Sequence, residues 1–148
     1  MCDALLDLYQ RVILDHGKAP RNFRRLEVPD ATARGDNPMC GDRVELFLAL
    51  DGDRIAEAAF VGRGCAVSIA SASMLTEAVP GLDREAACAM AGRFRAMARS
   101  GEVPDDSGFA GLAALSGVHE FPSRVKCATL PWVALEAALA GGKEASSE

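Results

Sequence analysis

The chain has 148 residues, about the length of one domain, and its 16 basic against 21 acidic side chains give a formal net charge of −5. This acidic balance, with only 5% aromatic residues, argues against a nucleic-acid binder, which would carry a basic stripe and stacking rings. No apolar run approaches the roughly 18 residues that a membrane span needs, so no membrane partner is expected. The N-terminal residues lack the basic start and cleavage site of a signal peptide, which predicts a cytoplasmic protein.

The first half of the chain predicts one helix followed by a small sheet. Apolar residues at helical spacing predict a helix from about Asp3 to His16. Alternating residues predict a strand over Val44–Leu50, and the Asp-Gly pair after it favours a tight hairpin. The returning strand is expected at Arg54–Gly62, and Asp30–Asp36 is expected to add an edge strand.

The second half predicts helices. One runs from Cys65 to about Ala78, and Asp83 is a good N-cap for the next. The segment Ser100–Gly108 is rich in glycine, proline and aspartate, which predicts a surface loop. A last helix is expected from about Lys126 to Ala140, with Pro131 acceptable only in its first turn.

These elements predict an α+β fold, in which a small antiparallel three-stranded sheet packs against several helices. Residues 1–140 are expected to form a single domain. Residues 141–148, a polar stretch rich in glycine and serine, are expected to be a disordered tail.

Five cysteines, an odd number in a chain without export signals, favour free thiols for metal or sulfur chemistry over a disulfide framework. Cys40, Cys65 and Cys127 lie at the ends of predicted elements, where helix N-termini and nearby cations favour the thiolate. Asp42 follows Cys40 by two residues, so both side chains can face one ion. Three thiolates and a carboxylate suit zinc or a cluster iron.

Spacing alone leaves a second interpretation open, because the same three cysteines are also small enough to be buried core residues. Of the others, Cys88 is expected to pack in the core and Cys2 to have no role. His16 is expected to cap or stabilise the C-terminus of the first helix, and His119 is expected to lie on the surface.

Long stretches of the chain resemble iron–sulfur cluster assembly proteins of the IscU/NifU N-terminal family. The resemblance is carried by Asn37–Asp42, Gly64–Ser73 and Phe121–Leu130, with a further match around Leu8–Asn22. Lys126 stands where the IscU scaffold has a histidine. Because of Lys126 and a segment over Gly101–Ser123 that looks like an insertion, the chain is most similar to the SufU branch of this family.

The resemblance implies a function in sulfur transfer. In SufU-type proteins a zinc ion is held by four side chains, which here would be Cys40, Asp42, Cys65 and Cys127. The chain would then have a sulfurtransferase-like activity, accepting persulfide sulfur from a SufS-type cysteine desulfurase and supplying downstream iron–sulfur assembly proteins. The desulfurase contributes a histidine that replaces one cysteine on the zinc. By position in the motif Cys40 is the sulfur acceptor, and Arg124 and Lys126 belong to the partner contact.

Two other functions fit the same residues. In the first, the four side chains hold a transient iron–sulfur cluster of the [2Fe–2S] type, and the chain is a scaffold that passes the cluster to acceptor proteins. In the second, zinc is purely structural and the chain only docks a partner.

Overall fold

The computed structural model describes residues 2–38, 41–105, 107–109, 111–141 and 144–146. The elements follow in chain order as α1 Cys2–Lys18, β1 Ala31–Asn37, β2 Asp42–Asp51, β3 Arg54–Arg63, α2 Ala66–Ala78, α3 Arg84–Ser100, short 3₁₀ turns at Ser107–Phe109 and Leu112–Glu120, α4 Pro122–Leu139 and β4 Glu144–Ser146. The second 3₁₀ stretch, Leu112–Glu120, is called the 3₁₀ segment below.

The sheet is an antiparallel meander of β1, β2 and β3, with β2 in the middle. Its central strand alternates, so that Val44, Leu46 and Leu48 are fully buried against the helices. Gly52 has a φ of +63°, which allows the tight turn between β2 and β3. The α+β fold with three antiparallel strands is therefore confirmed.

A fourth strand extends the sheet beyond the predicted three. β4 pairs in parallel with β1, with Arg34 opposite Glu144. This strand lies within residues 141–148, which were predicted to fray. The division into a domain and a tail stays a prediction.

Two helices form the centre of the core. In α2 the nine consecutive residues 68–76 are all buried, hydroxyl side chains included. Ser71 donates to the carbonyl of Ala128 in α4 at 2.5 Å and accepts from the indole N–H of Trp132 at 3.1 Å. The Trp132 ring stacks on Phe94 of α3 with 4.6 Å between ring centroids. Because each buried polar group has a partner, α2 and α4 pack closely without an unsatisfied hydroxyl between them.

The prediction for the last helix was wrong at its start. α4 begins at Pro122, four residues before the expected Lys126, because a proline at the first helical position lacks only an N–H that would be unpaired there. Pro131 consequently lies in the helix interior, not in the first turn. It has no N–H to donate to the carbonyl of Cys127. The carbonyl of the next residue, Ala128, accepts a hydrogen bond from the Ser71 hydroxyl.

None of the described helices is both long and apolar enough to cross a membrane.

We predict that Asp83 stabilises the fold as the N-cap of α3, where its Oδ1 accepts the backbone N–H of Ala86 at 2.8 Å. Asp83→Ala should lower the free energy of unfolding by about 1 kcal/mol, since the N–H loses its acceptor. Asp83→Asn keeps an equivalent cap and should change it little. Urea denaturation of the three proteins measures the difference. An equal loss in both variants would show that charge, not capping, is the source.

Candidate metal centre

Three of the four predicted ligands come together where the sheet meets the helices. Asp42 is the first residue of β2, and Cys65 is the N-cap of α2, two residues after the end of β3. The antiparallel hairpin pairs Arg43 with Arg63, which places these two ends side by side. Cys127 joins them because α4 packs on α2 and on the sheet.

The three ligand atoms lie within 4.8 Å of one another. The distance between Cys65 Sγ and Asp42 Oδ2 is 4.0 Å. Two ligands on a tetrahedral zinc, with sulfurs at about 2.3 Å from the ion, lie about 3.8 Å apart. The group therefore fits a tetrahedral metal with small side-chain movements, and its two sulfurs and one oxygen are donors that zinc accepts.

The three side chains differ in exposure. Asp42 is 2% and Cys127 1% exposed, whereas Cys65 is only half buried. A buried carboxylate needs compensation by hydrogen bonds or a cation. The site is thus closed toward the core and open on the side of Cys65.

The Asp42 carboxylate is held by the backbone of Cys65, the neighbouring candidate ligand. Its Oδ1 accepts the N–H of Cys65 at 3.0 Å, which leaves Oδ2 on the side of the thiol. Ser68 in turn donates to the carbonyl of Cys65 at 3.1 Å. The first turn of α2 therefore fixes both Asp42 and the cysteine.

Gly64 makes this arrangement sterically possible. A Cβ at this position would lie 2.3 Å from Asp42 Oδ1 and 2.6 Å from Ser68 Oγ, and its φ of +155° is itself rare for a residue with a side chain. In the sequence, Gly64 was noted only as part of a motif, and the role of Ser68 was not predicted. The glycine directly before a candidate ligand was the available signal.

Arg124 lies beside both sulfurs, one turn before Cys127 on α4. The negative charge of Cys65, followed by a hydrogen bond to Cys127, raises the pKa of this exposed guanidinium above its ordinary value. The Arg124 guanidinium therefore lies close enough to both sulfurs to interact with them electrostatically. Lys126 lies on another side of α4, in a separate cleft with Arg99 and His119.

Cys40 lies outside the described residues, so its assignment as ligand and sulfur acceptor stays a prediction. The adjoining Gly41 donates its N–H to the carbonyl of Asn37 at 2.9 Å. A cleft of about 270 Å³ lies here, lined by residues on both sides of Cys40 and by Asp42 and Arg63. Described residues on either side of Cys40 thus line a cleft that also includes the candidate ligand Asp42.

The remaining cysteine and histidines lie elsewhere. The prediction of Cys88 as a core residue was wrong, because its side chain is exposed on α3. The end of α1 brings His16 Nδ1 to 2.7 Å from Ser73 Oγ, and burial lowers the pKa of this imidazole. His119 is exposed as expected, with Nδ1 2.9 Å from the carbonyl of Ser116.

We predict that Gly64→Ala weakens metal binding by about 10- to 100-fold, the range typical of losing a group that orients a ligand. The added methyl group must displace the Asp42 carboxylate. Competition for Zn²⁺ with a chromogenic chelator measures the affinity. Gly92→Ala is the matched control, because a Cβ on this α3 residue meets nothing within 4 Å. Unchanged affinity in Gly64→Ala would contradict the proposed positioning of Asp42.

Comparison with known proteins finds relatives that match most of the chain. The family model described as "NifU-like N terminal domain" matches residues 8–128. The "Zinc-dependent sulfurtransferase SufU" of Bacillus subtilis is 46% identical over 133 residues, with 90% of each chain covered. The "Iron-sulfur cluster assembly scaffold protein IscU" of Streptococcus pyogenes is 41% identical, covering 89% of this chain and 82% of the relative.

A solved structure of an iron–sulfur cluster assembly protein has the same fold. It comes from Fervidobacterium islandicum, and its description includes "iron-sulfur cluster assembly scaffold protein for SUF system". It is 34% identical with a TM-score of 0.80, and the match covers 86% of this chain and 93% of that one. With most of its length matched in sequence and in fold, the chain belongs to the NifU-like N-terminal domain family of iron–sulfur cluster assembly proteins.

Proposed function

We propose that the chain is a zinc-dependent sulfurtransferase that accepts persulfide sulfur from a cysteine desulfurase for iron–sulfur cluster assembly. The observation that carries this proposal is the convergence of Asp42, Cys65 and Cys127 within 4.8 Å. The B. subtilis relative, 46% identical, is named a zinc-dependent sulfurtransferase, which supports zinc as the metal.

The proposed ligand set is completed by Cys40, two residues before Asp42 in the sequence. Bound zinc would keep these thiols deprotonated near neutral pH and protect them from stray oxidation. Buried Asp42 and Cys127 are suited to hold position throughout. The acceptor must be the ligand that a partner can reach, and the motif assigns that role to Cys40.

The proposed transfer is a thiol–disulfide type of exchange. The Cys40 thiolate attacks the terminal sulfur of the persulfide on the desulfurase, so that a new sulfur–sulfur bond forms on Cys40. The bond between the two sulfurs of the partner breaks, and the partner cysteine leaves as a thiolate. The proton stays on the transferred sulfur, so no external oxidant or reductant is required.

The partner is proposed to be a SufS-type desulfurase that docks on the open side of the site. Arg124 is exposed and adjacent to both thiols, so it is placed to contact an incoming protein. Lys126, the other residue predicted for this contact, lies in a different cleft. We therefore assign the contact beside the metal centre to Arg124.

A scaffold function is the second candidate, because two of the relatives carry that description. A carboxylate ligand among thiolates also suits a labile cluster intended for release. Anaerobic reconstitution distinguishes the two. Transfer of an assembled cluster to an apo acceptor supports the scaffold, whereas failure to hold iron while zinc restores sulfur transfer supports the sulfurtransferase.

We predict about one zinc per chain in the protein as purified, and loss of zinc on removal of a ligand. Structural zinc sites bind with roughly 10–16 kcal/mol in total, so one of four ligands contributes enough to weaken binding by about 100-fold or more. Asp42→Ala and Cys65→Ala should show this loss in elemental analysis. Cys88→Ala, at the exposed cysteine on α3, is the control and should retain zinc. Full zinc content in Cys65→Ala would exclude it as a ligand.

We predict that Cys40→Ala abolishes stimulation of a partner desulfurase, whereas Cys88→Ala retains it. Mass spectrometry after incubation with desulfurase and cysteine should find one added sulfur atom on Cys40 of the chain without substitutions. Sulfide release by the desulfurase measures the stimulation. Persistence of both signals in Cys40→Ala would move the acceptor role to another cysteine.

A further inference from the structure

A second cleft, apart from the metal centre, brings together three basic side chains from three different elements. Arg99 comes from the last turn of α3, His119 from the 3₁₀ segment and Lys126 from α4. The cavity measures about 320 Å³ and is lined by Arg99, His119, Pro122, Val125, Lys126 and Thr129. No predicted metal ligand is among these residues.

Among the residues that the structure describes, none neutralises the charge of this cleft. Within that part of the chain no carboxylate lines the cleft, and neither Arg99 nor Lys126 has an ion pair or a side-chain hydrogen bond. Other arginines are paired, as in the contacts Arg43–Asp36 and Arg95–Glu136. In a chain of net charge −5, an uncompensated cluster of cations is a distinct feature.

The acidic residues nearest in sequence do not supply the missing charge. Glu120, which follows His119, lines a different cleft together with Phe121 and Arg124. Glu102 is exposed after the end of α3 and is not part of the lining. Neither of these two carboxylates therefore lines the cleft that contains Arg99 and Lys126.

The imidazole of His119 is held in place on the wall of this cleft. Its Nδ1 lies 2.9 Å from the carbonyl of Ser116, which requires the proton on Nδ1. A Cβ on Gly101 would come within 2.5 Å of the same nitrogen, so the ring packs directly against the backbone that ends α3. His119 is therefore a positioned side chain.

The remaining wall is one face of the first two turns of α4, formed by Pro122, Val125, Lys126 and Thr129. Residues spaced by three and four share a helix face. The positive end of the helix dipole lies at this terminus and adds to the field of Arg99 and Lys126. The apolar side chains of Pro122 and Val125 offer a contact for a non-ionic part of a ligand.

We propose that this cleft binds the phosphate group of a small molecule, independently of sulfur transfer. An arginine fork and a lysine point charge are the usual partners of phosphate oxygens, and a dianion matches an uncompensated cluster better than a single carboxylate does. The cavity falls in the size range of small-molecule sites, which exceeds one inorganic phosphate ion. A phosphate monoester is therefore the expected ligand class.

Calorimetric titration of the zinc-loaded protein at constant ionic strength tests this proposal, with glycerol 3-phosphate, inorganic phosphate and acetate as probes. We expect saturable binding of the monoester at about one per chain. The double variant Arg99→Gln/Lys126→Gln should bind it at least 10-fold more weakly. Arg11→Gln, a loss of charge at an exposed position on α1, should bind like the original chain.

The three probes distinguish a phosphorylated metabolite from free phosphate as the ligand. Tighter binding of the monoester than of inorganic phosphate assigns the site to a phosphorylated metabolite, and equal binding assigns it to free phosphate. Acetate that binds as well as either, or a double variant that binds as the original chain does, would overturn the proposal. Zinc content is measured in each variant, and unchanged zinc in the double variant shows that its folded metal centre is intact.

Discussion

The hydrogen bond from the backbone N–H of Cys65 to the carboxylate of Asp42 joins the sheet to the helical layer at the candidate metal centre. It ties the first residue of β2 to the N-cap of α2. A helix N-terminus has unpaired N–H groups and favours a negative partner, so this carboxylate serves the helix as well as the site. The same 3.0 Å contact that stabilises the start of α2 therefore orients one oxygen for a metal.

The third side chain reaches the site through a separate set of contacts, deep in the core. Ser71 binds both the backbone and the Trp132 indole of α4, and this fixes the position of α4 along α2. Cys127 lies directly before Ala128, whose carbonyl receives that hydroxyl. The position of the Cys127 sulfur thus depends on the buried Ser71, which is not itself a predicted ligand. This arrangement gives a physical reason for hydroxyl groups within a helix that is buried on all sides.

The parts of the structure governed by neighbours in the chain were predictable. The alternation in β2, the turn at Gly52 and the cap at Asp83 each depend on a few adjacent residues, and all three were found where expected. The same local reasoning misplaced Pro131 and Cys88.

The errors and the successes at the site have a common explanation. The helix around Pro131 depends on distant segments, because the adjacent Trp132 stacks on Phe94 of α3 and donates to Ser71 of α2. The proximity of Cys65 and Cys127 also depends on packing between distant segments, so spacing alone left it open and only resemblance to a family implied it. Basic residues converge in the cleft around His119 for the same non-local reason, and the sequence carried no signal for it.

Pro131 has a consequence for the mechanics of the metal centre. A helix resists bending because each turn is bonded to the next, and at this proline the bond that would reach the carbonyl of Cys127 is absent. The Ser71 hydroxyl, which bonds the adjoining carbonyl of Ala128, and the stacking of Trp132 on Phe94 hold this turn from outside the helix. The position of Cys127 therefore depends more on the neighbouring helices than on the backbone hydrogen bonds of its own.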